Sequence, residues 1–262
     1  MAELSFVGLG LSDERGLSAR AWETLRAADE VFAEEYTAVA PEGTVERVAA
    51  ELHRPVHCLD RSLLESERPI LDALGRSPRV VLLVIGDPFA ATTHVALRLA
   101  VERAGHSWRY LPNASILTAA AGFLGLMHYR FGRTVSLPLP APGFAPRSPV
   151  EQIASNRERG LHSLVLLDLR PEDGRFLSGG EALSLLRERD PEGTTIPVGA
   201  PVAVVARIGR EDAGAWFGPL EELAQGDFGP PMHAVVVPAP ELHFEEAAAL
   251  ERYRAKPPVR RP

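Results

Sequence analysis

Val80-Val-Leu-Leu-Val-Ile-Gly-Asp-Pro-Phe-Ala-Ala-Thr-Thr-His94 is the stretch on which the fold turns. Six consecutive aliphatic residues, Val80 to Ile85, predict a strand buried on both faces, because a strand with one wet face would alternate apolar and polar positions. Gly86-Asp87-Pro88 ends it, since proline brings no N–H to a ladder and glycine frees the backbone to turn. Thr92 and Thr93 then stand as N-cap candidates before the helical pattern Val95-Ala-Leu-Arg-Leu-Ala-Val-Glu-Arg103. Open α/β sheets bind ligands just beyond the carboxyl ends of their strands. Asp87 on such a turn marks either a small-molecule site or an ordinary connection in which a carboxylate caps backbone amides, and the pattern fits both.

Around this unit, Leu4-Ser-Phe-Val-Gly-Leu9 predicts a first strand. Apolar residues at helical spacing (Ala21, Leu25, Ala28, Val31, Phe32) predict a helix over 18–33, capped by Ser18. A helix over 44–52, a strand over 56–59 and a strand near Trp108-Arg-Tyr-Leu111 continue an alternation that argues for a mainly parallel sheet with helices on both faces. Pro112-Asn-Ala-Ser-Ile116 breaks it. Beyond lie a helix over 117–126, a strand over 134–137 and the proline-rich stretch 138–149, a semi-rigid connection because proline fixes φ. Strands over 163–168, 203–208 and 234–237 follow, with a helix over 180–189 between the first two. The reading is an α/β protein of two domains, 1–112 and 113–262, with a frayed tail after Arg254.

Composition narrows the chemistry. The chain has 262 residues, 45% of them hydrophobic and 24% charged, which suits well-packed domains and not disorder. A net charge of −7 disfavours an extended nucleic-acid surface, which needs Lys and Arg to neutralise phosphates. Lys256 is the sole lysine and lies in a Pro- and Arg-rich tail, so Schiff-base chemistry and a Walker loop are not expected. Cys58 stands alone, which excludes an internal disulfide and a cysteine-based zinc site within one chain. Met-Ala-Glu-Leu lacks a basic leader region and the longest aliphatic run is far short of a membrane span, so a soluble, cytoplasmic protein is expected.

Gly8-Leu-Gly10-Leu-Ser-Asp13 sits where a dinucleotide fingerprint would, but Asp13 replaces the third glycine and would repel a pyrophosphate. The turn serves close backbone approach to another ligand, or structure alone. His53 and His57 have the spacing of helical zinc ligands, yet Pro55 between them would break that helix; no metal is expected. There is no Gly-x-Ser-x-Gly elbow, and Cys58 has no catalytic signature around it. Glu34 and Glu35 offer a base, or simply a solvated helix end. Ligand-binding turns without acid–base machinery suit methyl transfer from a sulfonium, whose leaving group is already activated, so that alignment is the main task.

Six blocks then carry a resemblance: Phe6-Val-Gly-Leu-Gly-Leu-Ser-Asp-Glu-Arg15, Val31-Phe-Ala-Glu-Glu-Tyr-Thr37, Gly86-Asp-Pro-Phe-Ala-Ala-Thr-Thr-His94, Asn113-Ala-Ser-Ile116, Asn156 through Gly160-Leu-His-Ser-Leu-Val-Leu-Leu-Asp168, and Asp227-Phe-Gly through His233. In this order and spacing, from about Leu4 to Leu250, the chain resembles the diphthine synthase family of the tetrapyrrole-methylase superfamily of S-adenosylmethionine-dependent methyltransferases. The resemblance implies a two-domain tetrapyrrole-methylase-like α/β fold with a cofactor cleft between the domains, in a homodimer. It implies cofactor contacts at Leu11, Asp87, Ala90, Ser115, Ile116, Leu167, Ile208 and His233. No catalytic residue is carried over.

Three departures stand out. Ala90 is smaller, and Ile208 larger, than the family's usual residues, and Ser148-Pro-Val150 replaces an aromatic-rich stretch. The implied reaction is repeated methylation of the amino group of an aminocarboxypropyl-modified histidine on translation elongation factor 2, in diphthamide synthesis. Two other readings stay open at this level: a superfamily methyltransferase acting on a tetrapyrrole or ribosomal RNA, and a non-catalytic cofactor-binding module.

Overall fold

A computed structural model describes residues 1–254; Lys256 and the tail expected to fray lie outside the described residues. The chain forms two compact units, one of Met1–Ile116 and one beginning at Leu117. The division at 112/113 suggested by the sequence falls in the loop that leads to Ile116.

The first unit alternates β1 (Glu3–Gly10), α1 (Ala19–Ala27), β2 (Glu30–Glu34), α2 (Thr44–Leu52), β3 (His57–Leu59), α3 (Arg61–Glu65), α4 (Arg68–Arg76), β4 (Arg79–Ile85), α5 (Val95–Arg103) and β5 (Ser107–Leu111). Its sheet has the order β3-β2-β4-β1-β5, and every pairing is parallel. The β4 side chains explain the unbroken aliphatic run. Leu82 and Val84 pack with Phe6, Ile70, Leu97 and Val101 on one face. Val81 and Leu83 pack with Val7, Leu25, Val31 and Val48 on the other. Each such fully buried side chain contributes about 1.5–3 kcal/mol, so β4 is the anchor of this unit.

The helix expected over 18–33 stops at Ala27. Ala28 turns extended, with φ −67° and ψ 150°, and the Asp29 N–H is drawn to the Arg79 carbonyl at 2.8 Å. Residues 30–34 then become β2. The helical spacing of Val31 and Phe32 was misleading because the two point to opposite faces of the sheet; pairing with β4 overrides local pattern. Thr92 and Thr93 do not cap α5 either. Its N-cap is His94, without a side-chain cap bond, and the Thr92 hydroxyl donates back to the Pro88 carbonyl at 2.6 Å.

The second unit contains α6 (Ile116–Leu124, whose first residue closes the first unit), β6 (Val135–Leu137), α7 (Ser148–Glu158), β7 (Ser163–Leu167), a short ribbon of β8 (Leu169–Arg170) and β9 (Arg175–Phe176), α8 (Gly179–Arg189), β10 (Pro201–Ala206), β11 (Gly214–Pro219), α9 (Leu220–Leu223), β12 (His233–Val237) and α10 (Phe244–Glu251). The sheet order is β11-β10-β12-β7-β6. Only β6 pairs in parallel, with β7; the other pairings are antiparallel. Leu137, Ile153, Val165, Leu183, Leu186, Val204 and Val235 form its core. β11 escaped the sequence reading because Gly214, Gly218 and Pro219 read as loop, a strand composition tolerated at an edge. The proline-rich connection ends at Arg147, since Pro149 sits in the first turn of α7 where its missing N–H costs nothing. Pro149 and Val150 are buried there.

Among the described residues, no helix is long and apolar enough to cross a membrane.

Candidate functional site

In the first unit the predicted contacts gather at the carboxyl end of the sheet. Gly10 and Gly86 exchange backbone hydrogen bonds of 3.1 and 2.8 Å, each in the left-handed region at φ 85° and 77°. That antiparallel bridge closes two parallel strands, so Leu11 and Asp87 leave it side by side. Both positive φ values require glycine at little cost. The next residue to leave the allowed region is Ala91, at φ 60°, a conformation that costs a residue with a Cβ about 1–2 kcal/mol.

Asp87 is buried and fully engaged. Its Oδ1 accepts from the Phe89 N–H at 3.0 Å, and its Oδ2 from the Tyr110 hydroxyl at 2.5 Å and the Asn113 N–H at 3.2 Å. Burial first, then the bond to Asp87 and its charge, push the Tyr110 phenol up to about 12. Among the described residues no cation pairs with Asp87. The Ala90 N–H donates to the Asp87 carbonyl at 3.2 Å, closing the turn. Asn113 leads covalently to Ser115 and Ile116, both half-buried at the start of α6. Leu11 and Ala90 are half-buried too.

His94 closes this segment. It is 2% exposed, and its Nδ1 lies 2.8 Å from the Pro88 carbonyl, which only accepts, so Nδ1 carries the hydrogen. Its Nε2 is buried with no hydrogen-bond partner among the described residues.

Glu34, offered above as a base or a solvated helix end, is neither solvated nor on a helix. It ends β2 with no exposure. Its Oε2 accepts from the N–H groups of Tyr36 and Thr37 at 3.2 and 3.1 Å, and its Oε1 accepts from the Thr37 hydroxyl. It is the clasp of the 35–37 turn. Asp13 likewise caps a turn: its Oδ1 accepts from the Arg15 N–H at 3.1 Å, and the Arg15 guanidinium holds its carboxyl below the ordinary range. His53 closes α2 at φ 51° and His57 opens β3, so the two share no helix face.

In the second unit, sheet register brings two predicted contacts together. Ala206 pairs with His233, Ala234 with Leu166, and Leu137 with Leu167. His233 and Leu167 therefore begin and end adjacent strands on one end of that sheet, whereas Ile208 lies in the turn two residues past β10, which stops at Ala206 and not at 208 as the sequence suggests. Arg207 shapes the exit of β10. Its backbone is left-handed, at φ 51°. Its guanidinium donates to Asp212 Oδ2 at 2.6 Å and to the carbonyls of Phe228 and Pro230 at 2.9 and 2.5 Å. Those bonds hold a strained residue in place, and such residues cluster at functional sites.

His233 is 8% exposed. Its Nδ1 accepts from the Gly179 N–H at 3.1 Å, which leaves the hydrogen on Nε2, a buried donor that forms no well-shaped hydrogen bond among the described residues and only weak approaches to the Phe228 and Pro230 carbonyls. Burial, and then the charge of Arg207, hold its pKa below the ordinary histidine value, so the ring is neutral near pH 7.

Sequence reasoning did not single out Tyr110, Arg207 or Gly179, and it treated Asn113 only as part of a turn. A tyrosine in a strand or a glycine before a helix has no signature, and a left-handed arginine is visible only in the backbone.

Each set of strand ends is rich in backbone groups, the first with a buried carboxylate and the second with a neutral histidine, groups of the kind that orient a small polar ligand. The family model for Tetrapyrrole (Corrin/Porphyrin) Methylases matches residues 3–224, and the chain belongs to this family; it is a methyltransferase. Its similarity within the family is specific and full-length. A diphthine synthase of Methanothermobacter thermautotrophicus is 38% identical over 258 residues, covering 97% of this chain and 96% of the relative. One of Methanococcus maripaludis is 35% identical over 250 residues, with 95% and 97% covered. A crystal structure of diphthine synthase superimposes with a TM-score of 0.87 at 35% identity, covering 97% of this chain and 96% of that one. These likenesses favour diphthine synthesis over the tetrapyrrole and ribosomal RNA readings.

Proposed function

We propose that this chain is a diphthine synthase, methylating the amino group of the aminocarboxypropyl-modified histidine of translation elongation factor 2 with S-adenosylmethionine as donor. The full-length similarity to diphthine synthases carries this reading. When bound, the cofactor supplies a methyl group on a sulfonium, already activated for transfer. Leu11, Asp87, Ala90, Ser115 and Ile116 of the first unit and Leu167, Ile208 and His233 of the second are the residues proposed to hold it.

The residues suit such a group. At Gly86 the nearest atom to an added Cβ is the Ala114 carbonyl oxygen at 3.9 Å, His233 offers an Nε2–H that forms no well-shaped hydrogen bond among the described residues, and Asp87 brings a negative charge with which no cation among the described residues pairs. Because both Asp87 oxygens are already occupied by donors, its part is to hold the turn's backbone in place and to favour a cation electrostatically. The protein's contribution is alignment of a neutral amine with the methyl carbon, which converts a bimolecular displacement into an oriented one. The attacking amine needs its lone pair, so the rate rises with pH until that amine is deprotonated. Docking of a protein substrate, a homodimer and a cytoplasmic location complete the proposal; sedimentation tests the dimer.

The test is mass spectrometry of elongation factor 2 bearing the aminocarboxypropyl-histidine, incubated with the protein and S-adenosylmethionine. Stepwise methyl additions on that peptide are expected. An unshifted peptide, with donor binding intact by calorimetry, would overturn the substrate assignment and leave the methyltransferase class standing.

A further inference from the structure

Asn113 makes more connections than a turn residue needs. Its Nδ2 donates to the Gly8 carbonyl at 2.9 Å and to the Gly16 carbonyl at 3.0 Å. Its Oδ1 accepts from the Ala114 N–H at 2.8 Å, and its own N–H reaches Asp87 at 3.2 Å. A local turn would need only bonds to the next one or two residues, such as that to Ala114. The two carbonyls lie 105 and 97 residues away in sequence. Gly8 is shaped for this neighbour, since a Cβ there would stand 2.7 Å from the Asn113 Cβ and 2.8 Å from the Gly86 carbonyl oxygen.

One residue thus joins four segments: its side chain ties the end of β1 and the 3-10 turn at Glu14–Gly16 to the approach to α6, and its main-chain N–H, which an alanine would keep, reaches the Asp87 turn. The segments it joins carry Leu11, Asp87, Ala90, Ser115 and Ile116. We propose that Asn113 is a positioning residue for the methyl-donor site, setting the spacing of three contact segments without being a contact itself, and that Tyr110 assists by holding Asp87. The inference rests on the donor-site reading above. The physical reason is that a contact displaced by about 1 Å can cost catalysis about 100-fold, and contact residues hold their places only when a supporting layer fixes them.

Positioning is separable from mere stability because it predicts weaker binding by the folded variant. The comparison is Asn113→Ala, Tyr110→Phe and, as a control, Asn156→Ala, which removes a buried asparagine bonded to the Arg133 carbonyl and Ser163 hydroxyl in the second unit. Each is studied as the full chain by calorimetry with S-adenosylmethionine, with KM and kcat measured alongside, well below its melting temperature. Folded Asn113→Ala should bind the donor at least about tenfold more weakly, with KM raised in step, and Tyr110→Phe about threefold more weakly. Asn156→Ala should melt earlier and bind as the parent does. Parent-like affinity in folded Asn113→Ala overturns the inference. So does an equal loss in Asn156→Ala, or, if Asn113→Ala does not fold, parent-like affinity in Tyr110→Phe. Failure of the parent protein itself to bind S-adenosylmethionine would instead overturn the donor-site reading, and this inference with it.

Discussion

The Tyr110 hydroxyl donates to Oδ2 of Asp87 across 2.5 Å, joining the end of β5 to the turn after β4. Together with the N–H groups of Phe89 and Asn113 it gives this buried carboxylate three donors. Asp87→Ala leaves all three without their acceptor. Stability should fall by about 1–3 kcal/mol, the usual cost of unsatisfied buried polar groups, and affinity for S-adenosylmethionine should fall with it. Asp87→Asn, which keeps one acceptor oxygen, should lose less of both. Denaturant unfolding and calorimetry on the same samples read the two effects apart; lost stability with unchanged affinity would make Asp87 a turn cap alone.

Gly8→Ala places a methyl group 2.7 Å from the Asn113 Cβ and 2.8 Å from the Gly86 carbonyl oxygen. Neither neighbour is the loose end of a long side chain, so the turn must move, at about 1–3 kcal/mol for such overpacking. Gly75→Ala, where an added Cβ meets nothing within 4 Å, should be neutral or slightly stabilising on the α4 helix. Thermal melting of the pair checks the contrast.

Acid should weaken the second unit through His162 and Glu246. The His162 Nδ1 accepts from the Ala239 N–H at 2.9 Å, and its Nε2 faces Glu246 Oε1 at 3.0 Å; both side chains are fully buried. Burial holds the His162 pKa below its ordinary 6.5. For Glu246, burial alone pushes the pKa up, but hydrogen bonds from the Met127 and His243 N–H groups and from His162 outweigh it and leave it below 4.5. In both cases the unfolded chain binds protons more readily. Their contribution to stability is therefore complete above about pH 6.5 and is lost as pH falls, first through His162 and then through Glu246. Glu246→Ala, which removes the ion-pair partner of Arg130 but leaves its bond to the Glu241 carbonyl, and which takes the acceptor from buried His162, should cost about 3 kcal/mol at neutral pH. Stability measured from pH 8 to pH 4 tests the sign; a flat profile would refute it.

Cys58 should be a sluggish nucleophile despite its exposure. Desolvation of the sulfur, then the charge of Glu35, push the thiol from 9.0 up to about 11. At pH 8 this lowers the thiolate population about 100-fold relative to an unperturbed thiol, and alkylation follows the thiolate. Glu35→Gln should speed modification by iodoacetamide.

Much of this protein was legible along the chain because the relevant physics is local. Six aliphatic residues followed by Gly-Asp-Pro mark the end of a buried strand, and the helix over 44–52 shows its apolar face at Val45, Val48 and Leu52. The glycines at 10 and 86 marked the turns before any partner was known, whereas Gly8 lies within β1, paired with Val84. The limit appears at residues 30–34, where helical and strand periods overlap over five positions and the neighbouring strand decides between them. It appears again at Gly214–Pro219, whose composition hides an edge strand that only β10 makes visible.

By itself, then, the sequence determined the α/β class, the central strand with its acidic turn, and the set of residues that resemblance assigns to the methyl donor. Tertiary structure decided what those residues are attached to. Asp87 became a pin held by Tyr110 and Asn113, Glu34 became a buried clasp, and Leu167 and His233 came to one end of a sheet through strand register, with Ile208 in the turn just past it. Glu34 bonds only two and three residues along and owes its burial to packing; the others depend on hydrogen bonds between groups far apart in the chain, whose formation is set by packing of whole elements. No local pattern encodes that distance.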